Sequence, residues 1–194
     1  MGEMIILRHG QTAWSKMLRH TGRTDVPLTA IGEEQARTLA PVVARRAIVK
    51  AYVSPAVRAR RTAELARVPD PEVLEDLWEW DYGAYEGLTT AEIGQTIPGW
   101  WIWKDGTVPG NTPGETVEQV GDRMDKVIAL ARPWLERGDV AVVAHGHVLR
   151  ILTARWLGLD AADGRMFALD TGTSSTLGFE HARPVITRWN VPVG

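Results

Sequence analysis

Two of the five histidines stand directly after short apolar runs, where a side chain could take part in chemistry. His9 follows the run 4–7 and Arg8, and His145 follows the run 140–144. A histidine beside an arginine suits phosphoryl transfer, which needs a nucleophile and positive charge on the phosphoryl oxygens. A structural role is a weak interpretation for these two histidines, whereas the sequence leaves a structural and a functional role equally open for His20.

Arginine is the side chain that meets the need for positive charge, because its planar fork bonds two phosphate oxygens at once. Arg8 and Arg58 are the candidates. The neighbours of Arg58, Arg60 and Arg61, could equally form a solvated helix face. The glycines that follow both histidines allow backbone N–H groups to approach an anion closely, and a helix predicted to start near Val148 adds a favourable N-terminal field.

Phosphoryl transfer also needs a group that protonates the leaving oxygen. A carboxyl group partly withdrawn from water suits this task near neutral pH. The segment 77–87 (LWEWDYGAYEG) offers Glu79, Asp81 and Glu86 among aromatic residues. The residue types alone leave open which of the three acts.

Alternating strands and helices must position these groups. The sequence predicts strands at 4–7, 51–53 and 140–144, helices at 29–47, 56–66, 89–97, 115–137 and 148–157, and two or three strands over 167–190. This order predicts an α/β fold, a three-layer α/β/α sandwich with a mainly parallel central sheet, as a single domain over residues 1–194. In such sheets the site lies at the carboxyl ends of the strands. The composition of the tryptophan-rich segment 98–114 predicts a long loop. Its tryptophan rings either pack against the rest of the protein or contact the substrate.

Composition limits the partners. The 194 residues carry 22 Lys and Arg against 24 Asp and Glu, so no basic excess indicates nucleic acid or an anionic membrane as a partner. The absence of cysteine excludes disulfides, thiolate metal sites and cysteine nucleophiles. The N-terminal residues lack a basic stretch, and no apolar run approaches the roughly 20 residues of a membrane span. We therefore expect a cytoplasmic location.

Taken together, the motifs resemble the signature of the histidine phosphatase superfamily, the phosphoglycerate-mutase-like enzymes. A lone Arg-His-Gly would be a weak signal, but this set follows the family's order over nearly the whole chain. The matching residues are Leu7-Arg8-His9-Gly10-Gln11-Thr12, Thr21-Gly22 with Asp25 and Leu28-Thr29, Ser54-Pro55 through Arg58 to Thr62-Ala63, Glu79 with Gly83 and Glu86-Gly87, and Ala144-His145-Gly146-His147.

The resemblance implies a role for each matching side chain. His9 would be the nucleophile that becomes phosphohistidine, and Glu79 the acid for the leaving group and then the base for water. The phosphoryl oxygens would be bound by Arg8, Arg58 and His145. Positions that line the phosphate or substrate pocket in the family are held here by Ser15, Thr21, Gly22, Tyr82 and His147. The family often has Asn in place of Ser15, and the mutases have Asn in place of His147.

The superfamily contains both mutases and phosphatases, and three features of this chain favour hydrolysis. Thr90 stands where cofactor-dependent mutases carry Lys, an inserted segment with paired arginines is missing, and the tail after His147 is short. A cofactor-dependent phosphoglycerate mutase remains the alternative, and a non-catalytic phosphate-binding module is a less favoured one. The closest resemblance is to the actinobacterial acid phosphatases and the sedoheptulose-bisphosphatase-like branch, so we expect a small phosphorylated sugar or related metabolite as substrate.

A metal-dependent hydrolase is a different class, because His145 and His147 could be two metal ligands. Zinc normally needs three or four ligands, and Arg8 beside His9 would repel a cation. We therefore expect neither a metal nor another cofactor. Since family members are often dimers, a homodimer is compatible with the resemblance.

Overall fold

A six-stranded sheet organises the protein, whose computed structural model describes residues 1–192. The strand order is β3-β2-β4-β1-β5-β6. The strands β1 to β4 are parallel to one another. At one side of the sheet, β5 pairs antiparallel with β1, and β6 pairs antiparallel with β5. This mainly parallel sheet confirms the predicted fold class. The strands are β1 Met4–Arg8, β2 Ile48–Val53, β3 Glu72–Val73, β4 Asp139–Ala144, β5 Thr173–Glu180 and β6 Arg183–Pro192.

Helices fill the intervals between the strands. They are α1 Ala13–Lys16, α2 Ala30–Thr38, α3 Ala40–Ala44, α4 Val57–Leu65, α5 Thr90–Thr96, α6 Ile102–Asp105, α7 Val117–Leu135 and α8 Gly146–Trp156, with 3-10 turns at Glu75–Leu77 and Ala161–Met166. Threonine side chains cap the N-termini of α2, α5 and α7, as expected for residues that accept a bond from a free helical N–H. Within residues 1–192, none of the helices combines the length and the apolar character that a membrane crossing requires.

Two sequence predictions differ from the structure. The helix predicted over 29–47 is interrupted at Leu39, because Pro41 in the first turn of α3 has no N–H to continue the ladder of α2. The segment 98–114, predicted as a loop, contains α6, which buries Trp103 in the core, and Trp100 just before this helix is also buried.

The sheet is buried on both faces, which explains the near-continuous apolar runs of β1 and β4. Alternate residues of β1 belong to different clusters. Ile6 packs with residues of α7 and α8, and Ile5 packs with residues of α4. The sheet is therefore the middle of three layers.

Parallel register brings the candidate residues together. Arg8 pairs with Ala144 at the end of β1 and β4, and the His9 N–H donates to the Ala144 carbonyl at 3.0 Å. The Ser54 N–H, just beyond β2, donates to the Val143 carbonyl at 3.0 Å. Three chain segments that are distant in sequence thus end side by side at one edge of the sheet.

Candidate active site

A cavity opens at the carboxyl ends of β1 and β4, with a volume of about 670 Å³ including its open mouth. Its wall holds most of the side chains that the sequence proposed for the site: Arg8, His9, Ser15, Thr21, Glu79, Tyr82 and His147. Three proposed residues, Gly22, Arg58 and His145, are not among the lining residues. They contact the residues of the wall from behind, as described below.

His9 is held as a neutral nucleophile. Its Nδ1 lies 2.7 Å from the Gly10 carbonyl oxygen. Since a carbonyl only accepts, Nδ1 carries the proton and Nε2 keeps its lone pair. Burial lowers the pKa of His9 well below its usual range, and the charges of Arg58 and Arg8 lower it further. The imidazole is therefore neutral at neutral pH, with its proton on Nδ1 and Nε2 free to attack.

His145 packs against His9 with ring centroids 5.1 Å apart. Arg58 Nε donates to His145 Nδ1 at 3.1 Å, which places the imidazole proton on Nε2, and Nε2 lies 2.7 Å from Ser54 Oγ. Burial, followed by the charge of Arg58, lowers the pKa of His145 well below its usual range. Both ring nitrogens of His145 are thus bonded to protein groups, and the ring is a neutral support for His9.

Arg58 is fully buried and fixes the loop that follows Thr21. Its Nη2 donates to the carbonyls of Thr21 and Gly22 at 3.1 Å, and its Nη1 donates to the carbonyl of Thr24 at 3.0 Å. No carboxylate within residues 1–192 forms an ion pair with it, so its positive charge stays available to an anion in the cavity.

Gly22 contributes backbone to this arrangement. Its N–H donates to the Glu86 carboxylate at 2.9 Å. A Cβ at this position would lie 2.6 Å from the Trp80 carbonyl oxygen, a contact that no side chain can make. Gly22, expected to line the pocket, is thus behind the wall, where its carbonyl accepts from Arg58.

Arg8 offers a donor to the cavity. Its Nη1 donates to the Leu169 carbonyl, while its buried Nε has no partner within residues 1–192. The guanidinium lies on Gly146, where a Cβ would be 3.2 Å from Arg8 Cζ. Since Arg8 is one of the lining residues, its guanidinium is placed to attract a phosphoryl group in the cavity.

Glu79 lies at the N-terminus of α8. Its Oε1 accepts from the N–H groups of Trp80 and Val148 at 2.9 Å, and its Oε2 accepts from the N–H of His147 at 3.0 Å. Because Oε2 accepts a single bond, it keeps a lone pair that can carry a proton. Asp81 is not on the cavity wall, and it accepts from the Gly83 N–H and the Thr112 hydroxyl. The geometry therefore favours Glu79 as the acid, a choice that the residue types left open.

A comparison with known proteins identifies the family of this chain. The model of the histidine phosphatase superfamily, branch 1, matches residues 4–192. The chain belongs to the histidine phosphatase superfamily. The resemblance inferred from the motifs is thereby confirmed.

Relatives of this histidine phosphatase have several names. It is 42% identical to the acid phosphatase of Mycobacterium tuberculosis (strain ATCC 25618 / H37Rv), over 92% of this chain and 87% of that protein. It is 39% identical to sedoheptulose 1,7-bisphosphatase of Saccharomyces cerevisiae, over 80% of this chain and 67% of that protein. It is also 32% identical to a probable phosphoglycerate mutase of Serratia proteamaculans, over 98% of this chain and 91% of that protein.

A solved structure confirms the fold. The product of an open reading frame of Mycobacterium tuberculosis superimposes on this histidine phosphatase with a TM-score of 0.93, at 38% identity. The superposition covers 100% of this chain and 99% of that chain.

Sequence reasoning missed several residues of the cavity wall: Leu18, Arg19, Arg150 and Leu169, with His20 left open, whereas Gly146, expected to let a backbone N–H approach an anion, is on the wall. Arg150 stacks on Trp103 at 4.6 Å, and its Nε donates to the Gly164 carbonyl at 3.1 Å. One signal pointed to it, because Arg150 lies one helical turn after His147 and so shares its face.

Ring nitrogens of His145 and His147, the two candidate metal ligands, form hydrogen bonds within the protein. The nitrogens of His145 are bonded to Arg58 and Ser54, and Nδ1 of His147 lies 2.6 Å from the Tyr82 hydroxyl. The bond from Arg58 uses the single lone pair of the neutral His145 ring, so this ring has none left for a metal. Within residues 1–192, no group of three or more histidine, cysteine, aspartate or glutamate side chains is placed to hold a metal ion.

The tryptophan-rich segment serves mainly as packing. Trp100 and Trp103 are buried in the core, and their rings lie 5.5 Å from His20 and 5.2 Å from His147. Neither tryptophan lines the cavity. These two rings support the wall histidines from below and therefore have the packing role, whereas Trp101 is 46% exposed and is also not on the cavity wall.

Proposed function

We propose that this histidine phosphatase hydrolyses small phosphomonoesters of sugars or related metabolites through a phosphohistidine on His9, without a metal or another cofactor. This proposal rests on the hydrogen bond from His9 Nδ1–H to the Gly10 carbonyl, which leaves the Nε2 lone pair free to attack a phosphorus atom in the cavity. Arg8 and Arg58 supply the positive charge that a phosphoryl group needs.

In the first half-reaction the His9 Nε2 lone pair attacks phosphorus. The bond from phosphorus to the ester oxygen breaks, and that oxygen takes the proton from Glu79 Oε2, so that the alcohol leaves neutral. The phosphoryl group remains on Nε2. The bond from Nδ1–H to Gly10 stabilises the positive charge that develops on the ring.

Water completes the cycle in the second half-reaction. Glu79, now ionised, takes a proton from the water molecule as its oxygen attacks phosphorus. The Nε2–P bond breaks, its electron pair returns to Nε2, and inorganic phosphate leaves. His9 and protonated Glu79 are then ready for the next substrate.

The substrate class rests on the cavity and on the relatives. Arg150 adds a further cation to a wall that already contains Arg8, which suits a substrate with more than one anionic or polar group. Relatives named for acid phosphatase and sedoheptulose 1,7-bisphosphatase activities support phosphorylated metabolites. The cytoplasmic location and the homodimer stay predictions.

Phosphate release tests this proposal. It is measured with a chelator present on sugar mono- and bisphosphates, phosphoglycerates and an aryl phosphate. We expect release that His9→Ala abolishes and that His181→Ala preserves, since His181 is exposed in the turn between β5 and β6. Acid-labile phosphate trapped on His9 would identify the intermediate.

Three results would contradict the proposal. Release that the chelator abolishes would indicate a metal enzyme. Interconversion of phosphoglycerates without release would indicate a mutase. Binding of phosphate without any turnover would indicate a non-catalytic module.

A further inference from the structure

Leu18 is an unusual residue at the mouth of the cavity. It lines the wall between Ser15 and Arg19, and 80% of it is exposed. Its φ is 57°, in the left-handed region that residues with a Cβ rarely adopt. Leu18 thus combines a strained backbone with an apolar side chain that gains almost nothing from burial.

The strain follows from the way α1 ends. The N–H of Leu18 donates to the Ser15 carbonyl at 3.2 Å, and the N–H of Arg19 donates to the Trp14 carbonyl at 2.9 Å. These two bonds form a Schellman turn, whose left-handed residue is usually glycine. The helix α8 ends in the same turn with Gly158, at φ 75°. At the end of α1, folding alone would favour glycine or asparagine over leucine.

A second turn provides the matched comparison. Arg67 occupies the left-handed position after α4, also with φ 57°, and the bonds from Arg67 to Glu64 and from Val68 to Ala63 reproduce the pattern. Arg67 is exposed and is not part of the cavity wall. The two positions have the same backbone strain, but only Leu18 faces the route to His9.

We propose that Leu18 determines substrate specificity by contacting an apolar face of the leaving group, such as an alkyl chain, an aryl ring or the C–H face of a sugar ring. This inference rests on the proposed function. Leu169, which is buried, is a second aliphatic residue of the same cavity wall, while the arginines bind the anion. Substrates with an apolar face are favoured over open-chain polyol phosphates of the same length.

The expected size of the effect follows from the exposed area. Full burial of a leucine side chain contributes about ten- to hundredfold to an equilibrium. A small leaving group covers only part of Leu18, so we expect an effect of about tenfold, or about 1.4 kcal/mol.

The test compares n-butyl phosphate with erythritol 4-phosphate, which have the same number of carbons and differ in hydroxyl groups. We expect Leu18→Asn to lower the ratio of kcat/KM for the butyl ester to that for the erythritol ester about tenfold, mainly through KM. Leu18→Met, which keeps an apolar side chain, should retain the ratio of the natural protein. Arg67→Asn is the matched control and should leave the ratio unchanged.

The melting temperature distinguishes a role of Leu18 in substrate specificity from a role in folding. Asparagine tolerates the left-handed region, so neither Leu18→Asn nor Arg67→Asn should lower the melting temperature. A ratio that is unchanged in Leu18→Asn, or a loss that is equal for the two esters, would overturn the inference. So would a fall in the melting temperature large enough to account for the lost activity.

Measurements of binding test the role of Leu18 independently of the proposed phosphatase activity. The affinities of both esters are measured by calorimetry in the His9→Ala background, with and without Leu18→Asn. If the unmodified protein releases phosphate neither from these two esters nor from the sugar phosphates, phosphoglycerates and aryl phosphate named above, the proposed function fails, while the ratio of the two affinities still reports on Leu18. An unchanged ratio of affinities would reject the role of Leu18 even in an active phosphatase.

Discussion

Replacing Glu79 with glutamine is the perturbation that examines the proposed chemistry most directly. The substitution keeps the size of the side chain and removes both its charge and its ability to transfer a proton. Glutamine can accept the bonds from Trp80 and Val148 through its single oxygen. Its amide nitrogen then faces the N–H of His147, which loses its acceptor.

The structural cost of Glu79→Gln can be worked out from these bonds. An unpaired buried N–H costs about 1–3 kcal/mol, and the loss of a negative charge at a helix N-terminus costs about 0.3–1 kcal/mol. We expect a loss of about 2 kcal/mol in the free energy of unfolding, or about 4–8 °C in Tm for a chain of this size. Thermal unfolding measures this part separately from catalysis.

The catalytic loss should be larger and should depend on the leaving group. A missing general acid slows turnover of an alkyl phosphate by about 10²–10⁴-fold. A nitrophenyl phosphate needs no such proton, because its phenolate leaves readily, so phosphorylation of His9 should stay fast. Water attack would still lack its base. We therefore expect a burst of nitrophenolate followed by slow turnover, with phosphate trapped on His9.

Asp81→Asn is the matched control for Glu79→Gln. An asparagine oxygen can still accept from Gly83 and Thr112, and the side chain is not on the cavity wall. We expect only a small change in turnover. A larger loss for Asp81→Asn than for Glu79→Gln would refute the assignment of the acid, and so would an equal loss, for alkyl and nitrophenyl esters, in the rate at which Glu79→Gln phosphorylates His9.

Three further predictions concern the histidines and the packing of Arg8. Burial lowers the pKa of His20 to about 4, so on acidification the unfolded chain takes up a proton that the folded chain does not. The free energy of unfolding should therefore fall by about 3 kcal/mol between pH 6.5 and 4 because of this residue. Denaturant unfolding of His20→Phe should lack this contribution to the pH dependence. Arg58→Gln should raise the pKa of His9 in an NMR titration, because burial lowers that pKa most and the charge of Arg58 contributes next; no upward shift would contradict this cause. Gly146→Ala should lower kcat/KM about tenfold for every phosphomonoester, since the new Cβ displaces the Arg8 guanidinium, and unchanged kinetics would show that Arg8 adapts freely.

The sequence predicted the elements that depend on local pattern. The apolar runs at β1 and β4 and the helices α4, α5, α7 and α8 appear within one or two residues of their predicted ranges, because short buried strands and amphipathic helices have strong local signals. It failed to predict the interruption at Leu39 and the helix α6. Pro41 was a visible signal for the interruption. The helix α6 has four residues, too few for a helical period to be recognised.

The catalytic roles were inferred from a resemblance and cannot be deduced from residue types. Glu79 and Asp81 are both carboxylates, both buried, and two positions apart. The tertiary structure distinguishes them, because Glu79 lines the cavity and accepts the N–H groups of His147 and Val148 at the start of α8, whereas Asp81 does neither. The function of the tryptophan-rich segment was open for the same reason.

The sequence by itself determined the family, the order of strands and helices, and the set of residues that could transfer a phosphoryl group. The tertiary structure decided which of them face the cavity: Arg8, His9 and Glu79 line it, whereas Arg58 and His145 support it from behind. It also revealed the strained Leu18 at the mouth. The physical reason is that local patterns depend on neighbours along the chain, whereas hydrogen-bond partners, tautomers and exposure depend on segments that meet only when the sheet is assembled.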